Sequence, residues 1–433
     1  MDNYLTEDTK TIILLCGFFG KDRTEKPLSL PEYTSLVRWL IGKKMRPADL
    51  LQKENLAEAS IGSGIDKQRM EALLGRGVQL GFAVEEWQRN GIWIISRSDK
   101  DYPVRLKKHL KDKAPPLLFG VGDRALLKGG GLAIVGSRNV DREGEDFTRR
   151  VAELCAGNQM PVVSGGARGV DQISMATALE SGGATIGILA ENLLKKSLER
   201  NARHAIADGR LLLVSPYHPK ARFTVGTAMG RNKLIYAMAD FALVVSAEHQ
   251  KGGTWAGAQE ELKRELSLPV FVRIGNNAPK GNGKLLEMGA IPWPESIGRN
   301  GFRQKLSELA GQNRKKQNHS RNLNLFGFQA EPEDADTVQQ KSTNETIAEE
   351  SFTIEPERKN RECPESVYHA VLPIILKKLD NPTPPEDLAK SLDVNKTQLN
   401  AWLRKAVDEN EVVKLSRPVR YRKKNSEFGS DLG

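Results

Sequence analysis

The sequence predicts an α/β protein: a Rossmann-like, doubly wound and mostly parallel sheet, with an N-terminal helical domain before it and a C-terminal winged helix after it. Three observations carry this expectation. Between Gly131 and about Pro294, apolar runs of strand length alternate with helical stretches. Those runs are continuously hydrophobic rather than alternating, which marks strands buried on both faces by flanking helices. Near the end of the chain, three helical patterns precede two short strand-like runs joined by a turn, the order of elements in a winged helix.

In chain order, residues 1–90 read as helical. Pro31-Glu32 opens a segment with Tyr33, Leu36, Val37, Leu40 and Ile41 at helical spacing, and Met70, Leu73, Leu74, Val78 and Leu80 repeat the pattern. Residues 91–311 make the central domain. Ile92–Ile95 and Leu117–Phe119 read as short strands, separated by stiff turns at Tyr102-Pro103 and Ala114-Pro115-Pro116. The runs of the main sheet follow at Leu132–Val135, Pro161–Val163, Thr185–Leu189, Leu211–Val214, Phe241–Val245 and Val270–Val272, with helices over Glu145–Ala156, Gln172–Ser181 and Asn232–Ala239. Residues 312–362 are rich in Gln, Asn, Glu, Ser and Thr, and between Glu331 and Glu357 only Lys341 opposes the acidic side chains. Such a stretch cannot bury enough apolar surface to offset its ordering entropy, so a disordered acidic linker is expected, with Leu323–Phe328 as a candidate docking motif. Residues 363–425 form the expected winged helix: one helix through Val367, Val371, Ile374, Ile375 and Leu379, a second over Glu386–Leu392, a third over Lys396–Asp408, and a hairpin of Val412–Leu415 and Val419–Arg422.

Composition narrows the function classes. The 433 residues allow about three domains at ~150 residues each. Lys and Arg number 65 against 55 Asp and Glu, a formal charge of +10 that is compatible with a polyanionic partner. The three cysteines, Cys16, Cys155 and Cys363, are too far apart and too few for a disulfide framework or a paired zinc-ligand spacing. The apolar run Thr11–Phe19 is too short to span a bilayer, and it lacks the basic flank and cleavage site of a secretion signal. A cytoplasmic protein without membrane association is therefore expected.

The chemistry belongs at the strand ends, because ligands of open α/β sheets sit beyond the carboxyl ends of the strands. The first main strand ends in Gly136-Ser137-Arg138, and the second in Ser164-Gly165-Gly166-Ala167-Arg168-Gly169-Val170-Asp171, running straight into a helix. Glycines there let backbone N–H groups approach an anion, and arginines add fixed charge; alternatively the glycines only make a tight turn. Met229-Gly230-Arg231-Asn232-Lys233 reads as the opening of a helix, and Lys251-Gly252-Gly253-Thr254 is another Gly-rich loop entering one. None of these loops ends in the Gly-Lys-Ser/Thr of a P-loop. Four such loops on one rim point to phosphate binding.

These strings, together with Ile134-Val135, Gly182-Gly183-Ala184-Thr185-Ile186, Leu234-Ile235, the lead-in Tyr102-Pro103 with Pro115-Pro116-Leu117-Leu118, and Gly289-Ala290, resemble the DNA-processing protein A (DprA/Smf) family over about Ile92 to Pro294. The resemblance implies a non-enzymatic protein without cofactor or metal. Such a protein binds single-stranded DNA, helps load a RecA-type recombinase in natural transformation or recombination, and forms a homodimer through the Rossmann domain. By matching position, Arg138, Arg168, Arg231, Lys233 and Lys251 would supply charge to phosphates, and Gly136, Ser137, Ser164, Gly165, Gly166, Asn232, Gly252, Gly253 and Thr254 would supply N–H and hydroxyl donors. The chain departs from the family pattern at Ser174-Met175, at Ser215-Pro216 and at Lys233, where a point charge replaces the Arg fork. Phe223 and Trp255 are candidates for base stacking or for ordinary packing.

Two further readings stay open. The Gly252-Gly253-Thr254 loop also resembles the nucleotide N-glycosidases of the lysine-decarboxylase-like superfamily, or a nucleotide-binding sensor on the same fold. Trp255-Ala256-Gly257-Ala258 supplies no catalytic carboxylate after the threonine, Glu260 and Glu261 lie further along, and His204 and His218 are expected at the surface or at caps. The winged helix, with Lys396, Arg404, Arg417, Arg420 and Arg422, would bind duplex DNA or dock a protein.

Overall fold

The computed structural model describes residues 5–19, 25–264, 267–275, 277–298, 301–325, 367–392, 394, 396–415 and 419–424. Arg417, Phe326–Phe328 and the acidic stretch of the expected linker lie outside the described residues, as does the side chain of Lys396. The chain divides into two compact units, one ending at residue 332 and the other beginning at residue 333.

Among the described residues the first elements are the α-helices α1 (Glu7–Cys16), α2 (Leu30–Gly42), α3 (Lys53–Ser63), α4 (Lys67–Leu74) and α5 (Gly77–Arg89), with a 3-10 turn at Pro47–Leu51 between α2 and α3. Side-chain caps set several of their starts; Thr6 accepts from Thr9 N–H ahead of α1, and Asp66 accepts from Arg69 N–H ahead of α4. Leu36, Leu40, Leu56, Met70 and Leu73 pack among themselves, whereas Ile12, Ile13 and Trp87 join Phe119, Val121, Leu211 and Leu213 of the sheet in one core. These helices thereby cover one end of the sheet.

The sheet region then runs β1 (Trp93–Ser96), α6 (Val104–Leu110), β2 (Leu117–Val121), α7 (Leu126–Gly129), β3 (Leu132–Gly136), α8 (Arg142–Gly157), β4 (Val162–Ser164), α9 (Val170–Glu180), β5 (Thr185–Ile188), α10 (Leu193–Ser197), α11 (Arg200–Ala207), β6 (Leu211–Ser215), α12 (Val225–Met238), β7 (Phe241–Ser246), α13 (Gly252–Leu262), β8 (Val270–Val272), α14 (Lys280–Glu287), β9 (Ile291–Pro292) and α15 (Phe302–Leu325). Among the described residues, nine strands form one sheet in the order β1-β2-β6-β5-β4-β3-β7-β8-β9. Every pairing from β6 to β9 is parallel, and β1 and β2 add to the far edge antiparallel.

Alternate residues of the central strands feed opposite cores, as strand geometry requires. Ala133, Val135, Ala242 and Val244 pack under α12, α13 and α14, while Leu132, Ile134, Leu243 and Val245 pack under α8, α9 and α15. This double burial explains the continuous hydrophobic runs. α15 extends through Leu325, so the helix continues into the segment expected to begin the linker at residue 312.

One expected boundary is corrected. α12 starts at Val225 rather than near Asn232, because Thr224 caps it, its hydroxyl accepting from Thr227 N–H at 3.0 Å while its own N–H donates to Thr227 Oγ1 at 3.1 Å. Gly226 and Gly230 stay helical. Met229–Lys233 therefore lies inside the helix and not at its positive end.

The second unit holds α16 (Val367–Lys377), α17 (Pro385–Ser391), α18 (Lys396–Asp408), β10 (Val412–Leu415) and β11 (Arg420–Lys423). The two strands pair antiparallel from Val412↔Lys423 to Leu415↔Arg420. Ile375, Leu379, Leu388, Leu399, Leu403, Val412 and Tyr421 make their shared core.

Candidate nucleic-acid interface

From β3 the chain steps outward through β4, β5 and β6, then returns by α12 to β7 on the other side of β3. Beyond the carboxyl ends of strands at such a reversal the connecting loops part, leaving a crevice. A cleft of about 450 Å³ lies there. The β3 loop contributes Gly136, Ser137 and Arg138; α9 contributes Asp171; the segment leading into α12 contributes Phe223, and α12 itself Arg231 and Asn232; the start of α13 contributes Lys251, Gly252, Gly253 and Thr254.

The innermost element is an ion pair. Arg231 is only 6% exposed, and its Nη1 lies 3.8 Å from Asp171 Oδ2. Burial lowers the Arg231 pKa and raises that of Asp171, and each charge partly offsets the shift of the other. Asp171 Oδ2 also accepts from Gly165 N–H at 3.2 Å. The Nε of Arg231 is buried without a hydrogen-bond partner among the described residues, an uncommon state for a charged group. Gly165 is glycine for a steric reason, since a Cβ there would overlap the Arg231 guanidinium. Gly169, at φ +84°, opens α9 beneath the Ser137 carbonyl, where a side chain would collide.

Around this pair the rim is more open. Arg138 is exposed, with its guanidinium 5.5 Å from the ring centroid of Phe223, itself 42% exposed. Arg168 is exposed and hydrogen-bonds the Asn139 side chain. Lys251 pairs with Glu248 at 3.1 Å, a solvent-exposed contact worth little, so its ammonium is readily redirected to another anion. The side chains of Thr254 and Asn232 brace the cleft: Thr254 Oγ1 donates to Gly136 O at 3.0 Å, and Asn232 Nδ2 to Gly253 O at 3.3 Å. The first turn of α13, Gly252 to Thr254, lines the cleft and has no side-chain cap, a helix start that favours anions.

Not every expected residue reaches this cleft. Ser164 is buried and donates to Ile134 O at 2.7 Å. Gly165 gives its N–H to Asp171, and Gly166, Arg168 and Lys233 stand outside the lining. Lys233 pairs instead with Glu260 at 3.1 Å, because the α12 register turns it toward α13. Glu260 is further engaged by Arg264, while Glu261 is buried against His109 at 2.9 Å and accepts from Leu268 N–H at 3.0 Å. Trp255 is core, edge-on to His249, whereas Phe223 is the exposed aromatic. His218 packs edge-on to Trp87, and His204 lies exposed on α11. Residue-by-residue reasoning missed Asp171 as the counter-charge of Arg231, and Tyr217, whose hydroxyl donates to Thr227 O at 3.1 Å beside Gly230. The nearest available sign was an acidic residue closing a Gly-rich turn.

The second candidate surface shows Arg404 on α18 and Arg420 and Arg422 on β11, all exposed. Among the described residues, no group of three or more His, Cys, Asp or Glu side chains is arranged to hold a metal, and no helix is long and apolar enough to cross a membrane.

The family model for DNA recombination-mediator protein A matches residues 93–297. Over 217 residues the chain is 30% identical to the DNA processing protein DprA of Bacillus subtilis, covering 47% of this chain and 69% of that one. The chain belongs to the DprA/Smf family. It is also 31% identical over 202 residues to the Smf protein of Escherichia coli, covering 46% of this chain and 53% of that family member. The DprA/Smf fold is seen as well in the X-ray structure of Streptococcus pneumoniae DprA, which matches at a TM-score of 0.54 and 22% identity, over 67% of this chain and 95% of that one. The matched region of the family covers every strand-end loop of the cleft.

Proposed function

We propose that this DprA/Smf family member binds the phosphate backbone of single-stranded DNA in the switch-point cleft and performs no chemistry on it. The observation that carries this reading is the layered cation arrangement: buried Arg231 with an unpartnered Nε at the base, and Arg138, Lys251 and the uncapped start of α13 around it. Exposed Phe223 beside Arg138 offers a face on which an unpaired base can stack, a contact that the stacked bases of a duplex cannot make. A hydrolytic role finds less support: Asp171 is committed to Arg231 and Gly165, and Glu260 and Glu261 are paired away from the cleft.

The wider role we propose is protection of incoming or processed DNA and delivery to a RecA-type recombinase, by a cytoplasmic homodimer, in transformation, recombination or defence against foreign DNA. We read α16–α18 with the β10–β11 hairpin as a winged helix that contacts duplex DNA through Arg404, Arg420 and Arg422.

A salt titration of the full chain against single-stranded and duplex DNA tests the cleft. Tighter binding of the single strand is expected, with log affinity falling by about 0.7 per phosphate contact for each tenfold rise in salt. Arg138→Ala should lower that slope by about one contact. Preference for duplex, or a slope indifferent to Arg138, contradicts the reading. Release of free base from nucleoside monophosphates would favour the glycosidase instead.

A further inference from the structure

We propose a second phosphate-binding surface: the strand leaving the cleft continues over α10 and α11, where Lys195, Arg200 and Arg203 contact its backbone. This rests on the cleft reading above. β5 lies beside β4 in parallel, so its carboxyl end, from which the chain enters α10, opens on the same edge of the sheet as the cleft. The segment between β6 and α12 joins the two places. Asn192 N–H donates to Ala221 O at 2.9 Å and Leu194 N–H to Pro219 O at 3.1 Å, and two residues beyond Ala221 the same segment puts Phe223 into the cleft wall. Exposed Arg222 stands between them.

The charges on this path are unbalanced. Lys196 is paired with Glu199 at 2.9 Å and Lys220 with Glu86, but Lys195, Arg200, Arg203 and Arg222 are exposed and have no ion pair among the described residues. α11 is held in place by Ala202, Ala205 and Ile206, which pack into the core with Leu211 and Leu213, so its outer face is rigidly presented. Arg200 and Arg203 stand three residues apart on that face, a like-charge spacing that costs stability unless an anion answers it. Cations spread over two helices and a loop suit an extended polyphosphate chain rather than one compact anion.

The test compares the full chain with its Lys195→Gln/Arg200→Gln/Arg203→Gln variant on thymidine oligomers of about 6 and about 20 nucleotides. The salt slope should fall by about two units on the long oligomer, three contacts at about 0.7 each, and stay unchanged on the short one. An unchanged slope on both lengths, or equal losses on both, overturns the proposal. Arg138→Ala is measured alongside: a slope lower by about one contact on both lengths upholds the cleft, whereas a wild-type slope on both rejects the cleft without altering what the triple variant reports.

Discussion

At the scale of single residues, the cleft is organised by Gly165, Asp171 and Arg231. Gly165→Ala forces a methyl group into the guanidinium of Arg231. The expected cost is about 1–3 kcal/mol, read from the denaturant midpoint, and it should shrink markedly when Arg231 is also truncated. Equal costs with and without Arg231 would show that the contact is unimportant. Arg231→Ala alone leaves Asp171 buried without its counter-charge, a loss of about 3–5 kcal/mol near neutral pH. The sign of the pH effect follows from burial, which holds the Asp171 pKa above its unfolded value. The folded state then binds the extra proton, so stability is recovered as pH falls through the folded-state pKa and is lost as pH rises through it. Removing Arg231, whose charge lowers the Asp171 pKa, raises it further, so the gap between the denaturant midpoints of Arg231→Ala and the wild type should narrow as pH falls below neutrality; a gap that widens instead would contradict this account.

At the scale of elements, α12 is where sequence reading and structure part. Gly226 and Gly230 look like punctuation, and glycine in a helix interior costs up to about 1 kcal/mol. The helix nevertheless begins at Val225, since the reciprocal Thr224–Thr227 cap holds its first turn and Gly230 makes room for the Tyr217 hydroxyl. That earlier start decides which face each residue takes: Arg231 turns inward to Asp171 and Lys233 outward to Glu260. Thr224→Ala should cost about 0.5–2 kcal/mol in thermal unfolding and also weaken binding of single-stranded DNA, because α12 carries Arg231. Normal affinity in a destabilised variant would separate the cap from the site. The C-terminal elements were easier to read. The pattern of Leu399, Leu403 and Ala406 is purely local, and α18 spans the expected Lys396–Asp408.

At the scale of the whole molecule, two units with separate cores imply two unfolding events. Calorimetry of the full chain should resolve a smaller transition for α16–α18 and their hairpin from the larger transition of the sheet unit, and a single cooperative transition would contradict this. The N-terminal helices should melt with the sheet, as Ile12, Ile13 and Trp87 share its core. The bulk charge of +10 is also redistributed at this scale. The acidic residues between Glu331 and Glu357 leave the remainder of the chain more basic than the total suggests, and several of its cations gather along one edge of the sheet.

By itself the sequence determined the α/β class, the parallel core strands, the strand-end loops at Gly136, Gly165 and Gly252, and the family, because continuous apolar runs and Gly-rich turns are local signals that packing merely completes; the fourth expected loop, Met229–Lys233, is helix. Only the tertiary structure decided which cations face the cleft. Arg138, Arg231 and Lys251 line it, whereas Lys233 is drawn to Glu260 on α13 and Ser164 to the Ile134 carbonyl on β3. The physical reason is that a side chain's partner depends on helix register and on elements distant in the chain, neither of which is contained in a motif of four or five residues.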